Sequence, residues 1–382
     1  MTITATEPTD EEMMQETARR FADAELAPGA AERDQTAIFP KAELKKLGEL
    51  GLFGVAVPEA WGGVGASFSA FVRTVEEISR ADASIGVIMS THNSLACMPI
   101  SDHGTDAQKE RFLRPLASGD MLGAVSITES QSGSNAADIR TRAVRKDGGY
   151  VLNGAKQFVT TGTHADIVLL LANTDPKNSA AGITCFIVPT DAPGVQVQSV
   201  GEKLGIKSSG TASMTLDDVE LGEEYVLGEP EKGYAIIMAA LGHSRLGIAA
   251  QAVGIAQAAF DASLAYARER TSFGKRIIEH QAVGFRLASM ATEIEASRQL
   301  TYHGAALCDA GQPFRKESAM AKILASEMAE RVCSAGIQVL GGYGYLADFP
   351  LERFYRDARI CQIYEGTNDI QRIVISRMLD SE

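Results

Sequence analysis

The spacing of apolar residues changes twice along the chain. From the start to about residue 120, apolar positions recur every three or four residues, as in Glu43–Leu52 and Phe68–Arg80. This period predicts amphipathic helices. Gly51 and Gly104 follow such stretches and are suited to end them. The first third is therefore predicted to be all-helical.

Between about residues 121 and 230 the period shortens, and short runs rich in Val, Ile, Thr and Phe alternate with Gly, Asn, Asp and Pro. Many short strands at this spacing indicate a small barrel or sandwich, and we predict a β-barrel. The predicted strands are Tyr150–Leu152, Gln157–Thr160, Ile167–Leu171, Ile183–Val188, Val195–Val200 and Ala212–Leu216.

From about residue 231 the helical period returns, and no proline lies between Pro230 and Pro313. An interior proline costs a helix about 3 kcal/mol, so this gap permits long helices. One apolar stripe runs from Ile237 to Ala259, and two further helices are predicted over Phe285–Tyr302 and Lys316–Leu340. The pattern predicts a four-helix bundle and an α+β fold of three domains, 1–120, 121–230 and 231–382.

Composition narrows the classes of function. Apolar residues make up 45% of the 382 residues, and the longest apolar runs are far shorter than the roughly 20 residues of a membrane span. The net charge of −13 argues against nucleic acid, whose binding requires cations that contact phosphate. The segment Met1–Glu12 carries acids and no base, which fits neither a secretory signal nor an Arg-rich transit peptide. We therefore expect a cytoplasmic protein without a membrane or nucleic-acid partner.

Two common kinds of site are not predicted. The five cysteines are scattered, and none forms a C-x-x-C pair or has a histidine at ligand spacing, so we expect buried free thiols and no metal site. No G-x-G-x-x-G motif follows a predicted strand, and strands do not alternate with helices. A Rossmann-type nicotinamide enzyme is therefore disfavoured.

Near the C-terminal end, Glu365 stands between Tyr364 and Gly366, after the apolar Ile360 and Ile363. A carboxylate among apolar and aromatic side chains is poorly solvated, so its pKa should rise toward the range of a general base. Gly366 permits close approach of a ligand to the backbone. The residues that follow can cap a helix whose N-terminus attracts anions. The alternative is an ordinary glutamate in a loop before a capped helix.

Three further segments are candidates for chemistry. Arg245 interrupts the apolar stripe of the first long helix, so it either pairs with a buried anion or extends to water. The loop Arg268–Arg276 combines cations with Phe273 and could bind a pyrophosphate, or it is a solvated basic turn. The loop Ser126–Asn135 offers hydroxyls to a flavin or a phosphate, or it is a polar surface loop.

Taken in order, these four segments resemble the acyl-CoA dehydrogenase family over nearly the whole chain. The I-Y-E-G-T segment ending at Thr367, with G-G-Y-G-Y upstream at Gly341–Tyr345, is the most specific part of the match. The resemblance implies an FAD-dependent enzyme that forms a trans-2 double bond in an acyl-CoA, with Glu365 as the base and hydride passing to flavin N5. It also implies a homotetramer that passes electrons to an electron-transferring flavoprotein.

The resemblance assigns two groups of binding residues. Those implied to contact the substrate are Ser134, His243, Ser244, Arg245 and Gly366. Those implied to contact FAD, some of them across a subunit boundary, are Val125, Ile127, Thr128, Gly133, Ser134, Phe158, Val159, Thr160, Arg270, Phe273, Gln281, Gln338, Val339, Gly341, Gly342, Thr367, Asn368 and Asp369.

The chain departs from the family pattern at the flavin loop and strand. Ser130 and Asn135 replace the usual Pro and Asp, and Phe158 replaces the usual Trp. Two other functions stay open from the sequence: an acyl-CoA oxidase that returns electrons to oxygen, and a non-catalytic member of the fold that binds nucleic acid. Acyl chain length is undetermined, although Met89–Leu95 resembles the helix that closes the acyl pocket in short-chain relatives.

Overall fold

The computed structural model describes residues 9–380, so the first eight residues of the acidic segment Met1–Glu12 lie outside the described part. An N-terminal helical region precedes the sheet. Its helices are α1 Asp10–Phe21, α2 Ala30–Thr36, α3 Lys41–Glu49, α4 Phe68–Ala81, α5 Ala83–Thr91, α6 Met98–His103, α7 Asp106–Gln108 and α8 Arg114–Ser118.

Local sequence signals explain where these helices begin. Thr9 and Glu12 form a capping box at the start of α1, and the Asp82 carboxylate caps α5 by accepting from the backbone N–H groups of Ser84 and Ile85. Helix α4 is buried along almost its whole length, because α1, α5 and α9 (Gly233–Glu269) surround it. The predicted helical N-terminal domain is confirmed.

The middle region is a mixed sheet of eight strands. They are β1 Gly123–Ser126, β2 Arg142–Lys146, β3 Gly149–Val159, β4 Ile167–Asn173, β5 Ile183–Pro189, β6 Val195–Ser199, β7 Ala212–Gly222 and β8 Val226–Leu227. The order is β6-β7-β3-β2-β4-β5-β8, with β1 pairing to β4 in parallel. The segments predicted separately as Tyr150–Leu152 and Gln157–Thr160 belong to the single long strand β3, apart from Thr160.

The predicted closed β-barrel is wrong. Within residues 9–380, the terminal strands β6 and β8 do not pair with each other, and β2 and β4 share only the Arg142–Asn173 register pair. Alternate side chains of β4 and β5 face different cores. Val168 and Phe186 pack with β3 and β7, whereas Leu169 packs against the helical region. Burial of both faces produces the continuous apolar runs that suggested a barrel.

The C-terminal region is helical, as predicted. The domain predicted as a four-helix bundle contains three long helices, α9 Gly233–Glu269, α10 Gln281–Asp309 and α11 Arg315–Leu340, with the shorter α12 Leu351–Arg359 and α13 Asn368–Leu379. A small hairpin, β9 Thr271–Ser272 and β10 Lys275–Arg276, joins α9 to α10. The largest core is shared between these helices and the N-terminal ones.

Helix α9 alone among the described helices has the length and apolar composition of a membrane span. However, 83% of its most apolar stretch is buried inside the protein. The central helix of a packed bundle meets the same criteria, because its neighbours cover it on all sides.

Candidate active site

Glu365 occupies a strained turn just before α13. Its φ of 55° lies in the left-handed region that non-glycine residues rarely adopt, and Gly366 follows with φ 90°. A side chain is strained at such a φ, so glycine is strongly favoured at residue 366. Thr367 then caps α13 by accepting from the backbone N–H of Ile370 at 3.3 Å. The turn therefore directs the Glu365 side chain inward.

The carboxylate of Glu365 is enclosed although the residue as a whole is only half-buried. Ser244 on α9 donates a hydrogen bond to Oε2, whereas Oε1 is buried without a hydrogen-bond partner among the described residues. Burial raises the pKa of Glu365 to about 7, against the opposing effects of the Ser244 hydrogen bond, Lys322 and Arg245. The group is thus poised to accept a proton near neutral pH.

Arg245 is buried, with only 6% of its surface exposed, so its side chain does not extend to water. Nε and Nη1 have no hydrogen-bond partner in the described residues. Burial and the nearby Arg315 lower the pKa of Arg245 to about 10, and Glu365 opposes them. Unpaired buried donors next to a buried carboxylate form a polar centre suited to an anionic or carbonyl oxygen.

His243 does not join this centre. Its ring packs against Phe68 and Phe314, with centroids 5.2 Å and 4.9 Å away. Burial lowers the pKa of His243, so it is a neutral aromatic side chain in an apolar contact. The structure therefore brings Ser244, Arg245 and Gly366 of the predicted substrate group together around Glu365, whereas the His243 ring packs against Phe68 and Phe314.

Two residues that the sequence analysis did not select hold the turn from the inside. Lys322 on α11 is fully buried, and its ammonium donates to the backbone oxygen of Gly366 and to Oδ1 of Asn368, both at 2.9 Å. Gln371 donates from Nε2 to the backbone oxygens of Gly366 at 2.9 Å and Glu365 at 3.3 Å. Lys322 stands among Ala319, Ala325 and Ala329, a break in an apolar stripe like that of Arg245.

The loop Ser126–Asn135 is fixed to β3. The backbone oxygen of Thr128 accepts from the N–H of Gln157 at 2.9 Å, and the buried carboxylate of Glu129 pairs with the buried Lys156 at 2.8 Å. Burial alone would raise the pKa of Glu129, but Lys156 and several hydrogen bonds lower it to about 2. Neither residue of this pair was selected as a candidate from the sequence. The pair places the segment Val125–Ser134, which includes Ile127, Thr128 and Gly133, beside Phe158 and Val159 at the end of β3 and Thr160 just after it.

The end of β3 presents an aromatic ring to the exterior. Phe158 has φ 58° and is 67% exposed, while Val159 beside it is buried. Ser126 Oγ at the end of β1 and Thr161 Oγ1 just after β3 are buried without hydrogen-bond partners in the described residues. No atom lies within 4 Å of a Cβ built at Gly133, so a ligand can approach that part of the loop.

Most of the remaining candidates lie on the surface of the C-terminal region. Phe273, at the tip of the β9–β10 hairpin, is 95% exposed, and a Cβ at Gly341 or Gly342 would meet nothing within 4 Å. Arg270, Gln281 and Gln338 are also exposed, whereas Val339 is buried. At the start of α13, Asp369 is exposed, but the Asn368 side chain is used internally by Lys322, Ser326 and Glu327.

Comparison with known proteins decides the family. The models of the acyl-CoA dehydrogenase N-terminal, middle and C-terminal domains match residues 8–120, 124–219 and 231–379. The chain belongs to the acyl-CoA dehydrogenase family. It is 44% identical to the mitochondrial short-chain specific acyl-CoA dehydrogenase of Mus musculus, over 97% of this chain and 90% of that protein.

Solved structures agree with this assignment. Butyryl-CoA dehydrogenase from Megasphaera elsdenii superposes with a TM-score of 0.96 at 39% identity, over 98% of this chain and 100% of that one. A chain in a structure of the electron transferring flavoprotein of Acidaminococcus fermentans superposes with a TM-score of 0.97 at 41% identity, over 100% of both chains. The protein is thus an oxidoreductase of the acyl-CoA dehydrogenase class.

Members of the acyl-CoA dehydrogenase family are FAD-dependent flavoproteins, and the residues present here fit such a group. The exposed ring of Phe158 offers a face to an aromatic ligand. The unpaired hydroxyls of Ser126 and Thr161, with the open backbone at Gly133, offer hydrogen bonds and space. The Glu129–Lys156 ion pair holds the loop against β3.

Proposed function

We propose that this acyl-CoA dehydrogenase converts an acyl-CoA thioester to the trans-2-enoyl-CoA, with Glu365 as the base that removes the α-proton. The observation that carries the proposal is the enclosed Glu365 carboxylate, with one oxygen bonded to Ser244 and the other unpaired. An unpaired carboxylate oxygen is free to take a proton from carbon. A pKa of about 7 gives the conjugate acid a strength matched to neutral pH.

The α-proton of a thioester is weakly acidic, so the developing negative charge on the thioester oxygen must be stabilised. Backbone N–H groups in the Glu365–Gly366 turn are candidates for this task, because Gly366 leaves its backbone accessible from one side. Arg245 adds a buried positive charge close to the same centre. Exclusion of water by the surrounding helices strengthens both effects.

FAD, when bound, supplies the acceptor for the β-hydrogen. The residues of this chain that would hold it are the loop with Thr128, Gly133 and Ser134, and the strand end Phe158–Thr160. The exposed residues Arg270, Phe273, Gln281, Gln338, Gly341 and Gly342 would hold the FAD of a neighbouring subunit. The helix start Thr367–Asp369 would contact the pyrophosphate through its backbone N–H groups. The Asn368 side chain would not take part, because it is hydrogen-bonded to Lys322.

We propose an electron-transferring flavoprotein as the electron acceptor. The match to a chain in a structure of such a flavoprotein supports this choice over an oxidase that uses oxygen. The net charge of −13 supports it over the nucleic-acid-binding alternative. Reduced enzyme that transfers electrons to the flavoprotein much faster than to oxygen would separate the two enzyme classes.

The relatives named above act on short chains, and this supports a short straight-chain acyl-CoA such as butyryl-CoA as substrate. We expect kcat/KM to be highest at four carbons in a series of saturated acyl-CoA thioesters from four to sixteen carbons. The physical reason is that a pocket of fixed depth gains from each methylene only until it is filled. A maximum at eight carbons or more would contradict the short-chain assignment and leave the reaction type untouched.

Replacement of the base tests the reaction directly. Glu365→Gln keeps the shape and hydrogen bonding of the side chain but removes its basicity. We expect the rate of flavin bleaching by butyryl-CoA, measured anaerobically by stopped flow, to fall about 100- to 10,000-fold. FAD content serves as the control and should match that of the wild type. Bleaching at the wild-type rate would show that another group removes the proton.

A further inference from the structure

The ammonium of Lys322 lies on the inner side of the Glu365–Gly366 turn. The side chain is fully buried on α11 and donates to the Gly366 backbone oxygen and to Asn368 Oδ1, each at 2.9 Å. A buried lysine with no carboxylate in an ion pair is costly, because burial disfavours its charge. The site must therefore use the charge or the hydrogen bonds of Lys322.

The turn needs such support. Glu365 holds φ 55° without the freedom of a glycine, and such a conformation persists only where neighbouring contacts enforce it. The Gly366 oxygen receives two donors, Lys322 Nζ and Gln371 Nε2, each at 2.9 Å. These two donors, from different helices, hold the peptide between Gly366 and Thr367 in place.

We propose that Lys322 is a positioning residue for the reaction, which fixes the Glu365–Gly366 turn and supplies the positive charge that keeps the enclosed carboxylate ionised. The inference rests on the proposed function, in which Glu365 is the base. Lys322 touches neither the substrate nor the reacting atoms in this assignment. It acts through the backbone of the turn and through the electrostatic field at Glu365.

Four other charged or titratable side chains of the described residues act on Lys322 or Glu365. Arg245 approaches from α9, Cys361 and Tyr364 from the segment before the turn, and Glu327 from the helix of Lys322 itself. Cys361 and Tyr364 are held neutral at physiological pH, because burial raises the pKa of both. Among the cations, Lys322 lowers the pKa of Glu365 more than Arg245 does. The burial that surrounds Lys322 lowers its own pKa to about 8.

Two substitutions at position 322 and one at 371 separate charge from hydrogen bonding. Lys322→Gln keeps a donor but removes the charge, and Lys322→Met removes both. Gln371→Met removes the other donor to Gly366 and leaves the charge. We expect Lys322→Gln to move the acid limb of the kcat/KM profile upward by roughly one pH unit, since a nearby opposite charge lowers a carboxyl pKa by about 1–3 units.

At pH 7 the ionised fraction of Glu365 should fall from about one half to about one tenth, so we expect kcat/KM of Lys322→Gln to be about five-fold lower. Its profile should converge with that of the wild type above about pH 9, where Glu365 is ionised in both proteins. Gln371→Met should lower the rate at all pH values without moving the limb. Ser326→Ala, one turn along α11, removes the uncharged hydrogen bonds of that hydroxyl to Asn368 and to the Ile323 backbone oxygen, and should leave the limb in place.

The outcomes are distinguishable. If Lys322→Met does not fold, Lys322→Gln alone decides, because it keeps a donor for Gly366. A Lys322→Gln profile that superimposes on the wild type overturns the inference, as does an equal shift in Gln371→Met. If Glu365→Gln retains wild-type bleaching, the base assignment fails first. If that variant is inactive and the limb of Lys322→Gln does not move, only the role of Lys322 is wrong.

Discussion

Glu365 combines two unfavourable features, a buried carboxylate and a left-handed backbone. Proteins retain such unfavourable features only where surrounding contacts enforce them, and these features concentrate at functional sites. Here the enforcing contacts come from Ser244 on α9, Lys322 on α11 and Gln371 on α13. The site therefore depends on three helices that meet at the Glu365–Gly366 turn.

The raised pKa of Glu365 makes stability depend on pH. Its folded pKa of about 7 exceeds the ordinary value of 4.5, so the folded state binds more protons between these values. The free energy of unfolding must therefore fall as pH rises from 4.5 to 7. Glu365→Gln lacks this loss. We therefore expect its free energy of unfolding, minus that of the wild type, to be about 2–3 kcal/mol larger at pH 8 than at pH 4.5.

Urea unfolding of FAD-free protein at several pH values measures this difference. Glu49→Gln is a suitable control, since Glu49 is exposed at the end of α3. Asp357, whose pKa is raised to about 7 by burial, contributes the same slope to every variant and cancels. A constant difference between Glu365→Gln and wild type across the range would mean that Glu365 titrates normally.

At the scale of elements, β3 supports the flavin loop through one buried ion pair. Lys156 and Glu129 have side chains 0% and 3% exposed, and Glu129 also accepts from the backbone N–H groups of Arg140 and Thr141 at 2.8 Å and 3.0 Å. One carboxylate thus joins both ends of the segment between β1 and β2 to β3. The loop is thus held by a buried ion pair and by backbone hydrogen bonds, in addition to the packing of Ile127 and Ile139.

Removal of one partner should cost more than removal of both. Lys156→Met leaves the Glu129 carboxylate buried and uncompensated, so we expect a loss of about 3–5 kcal/mol in the free energy of unfolding and weaker FAD retention. The double variant Lys156→Met/Glu129→Gln should recover part of that stability, because the amide carries no charge. Denaturant unfolding of both variants checks this. A double variant less stable than Lys156→Met would contradict the argument.

At the scale of the whole molecule, large apolar side chains remain exposed on the C-terminal region. Phe273, Phe285 and Tyr345 are 95%, 67% and 82% exposed. Exposed apolar groups that cluster in one region usually mark a surface that a partner covers. Since most of the predicted cross-subunit FAD contacts lie there, the described surface supports the proposed assembly of identical chains.

We expect the protein to be a homotetramer by light scattering. Phe273→Asp should reduce FAD retention or assembly, while the stability of the isolated protomer changes by less than about 0.5 kcal/mol, because the ring contributes nothing to the core. Leu204→Asp is a matched control at an apolar residue 62% exposed in the sheet region. A fully active wild-type monomer, or unaltered assembly and FAD content in Phe273→Asp, would contradict the proposal.

Periodicity alone determined the order of helical, sheet and helical regions, because the spacing of apolar residues records which faces are buried. The periodic pattern also drew attention to Arg245, a charge in an apolar stripe, whereas the role of Glu365 as the base came from the resemblance to the family. Periodicity did not determine whether the sheet closes into a barrel. Apolar runs show that both faces of β4 are covered, but they do not show whether the covering layer is the same sheet or the helices.

Only the tertiary structure decided how the site is built. Lys322 is 43 residues from Glu365 in sequence, and Ser244 is 121 residues away, as the short contacts among α9, α11 and the turn reveal. The same holds for Asn368. The resemblance implied that its side chain contacts FAD, but in the structure its Oδ1 accepts a hydrogen bond from Lys322. Hydrogen-bond partners depend on which helix faces meet, and that choice is made by packing of the whole core, not by local residue patterns.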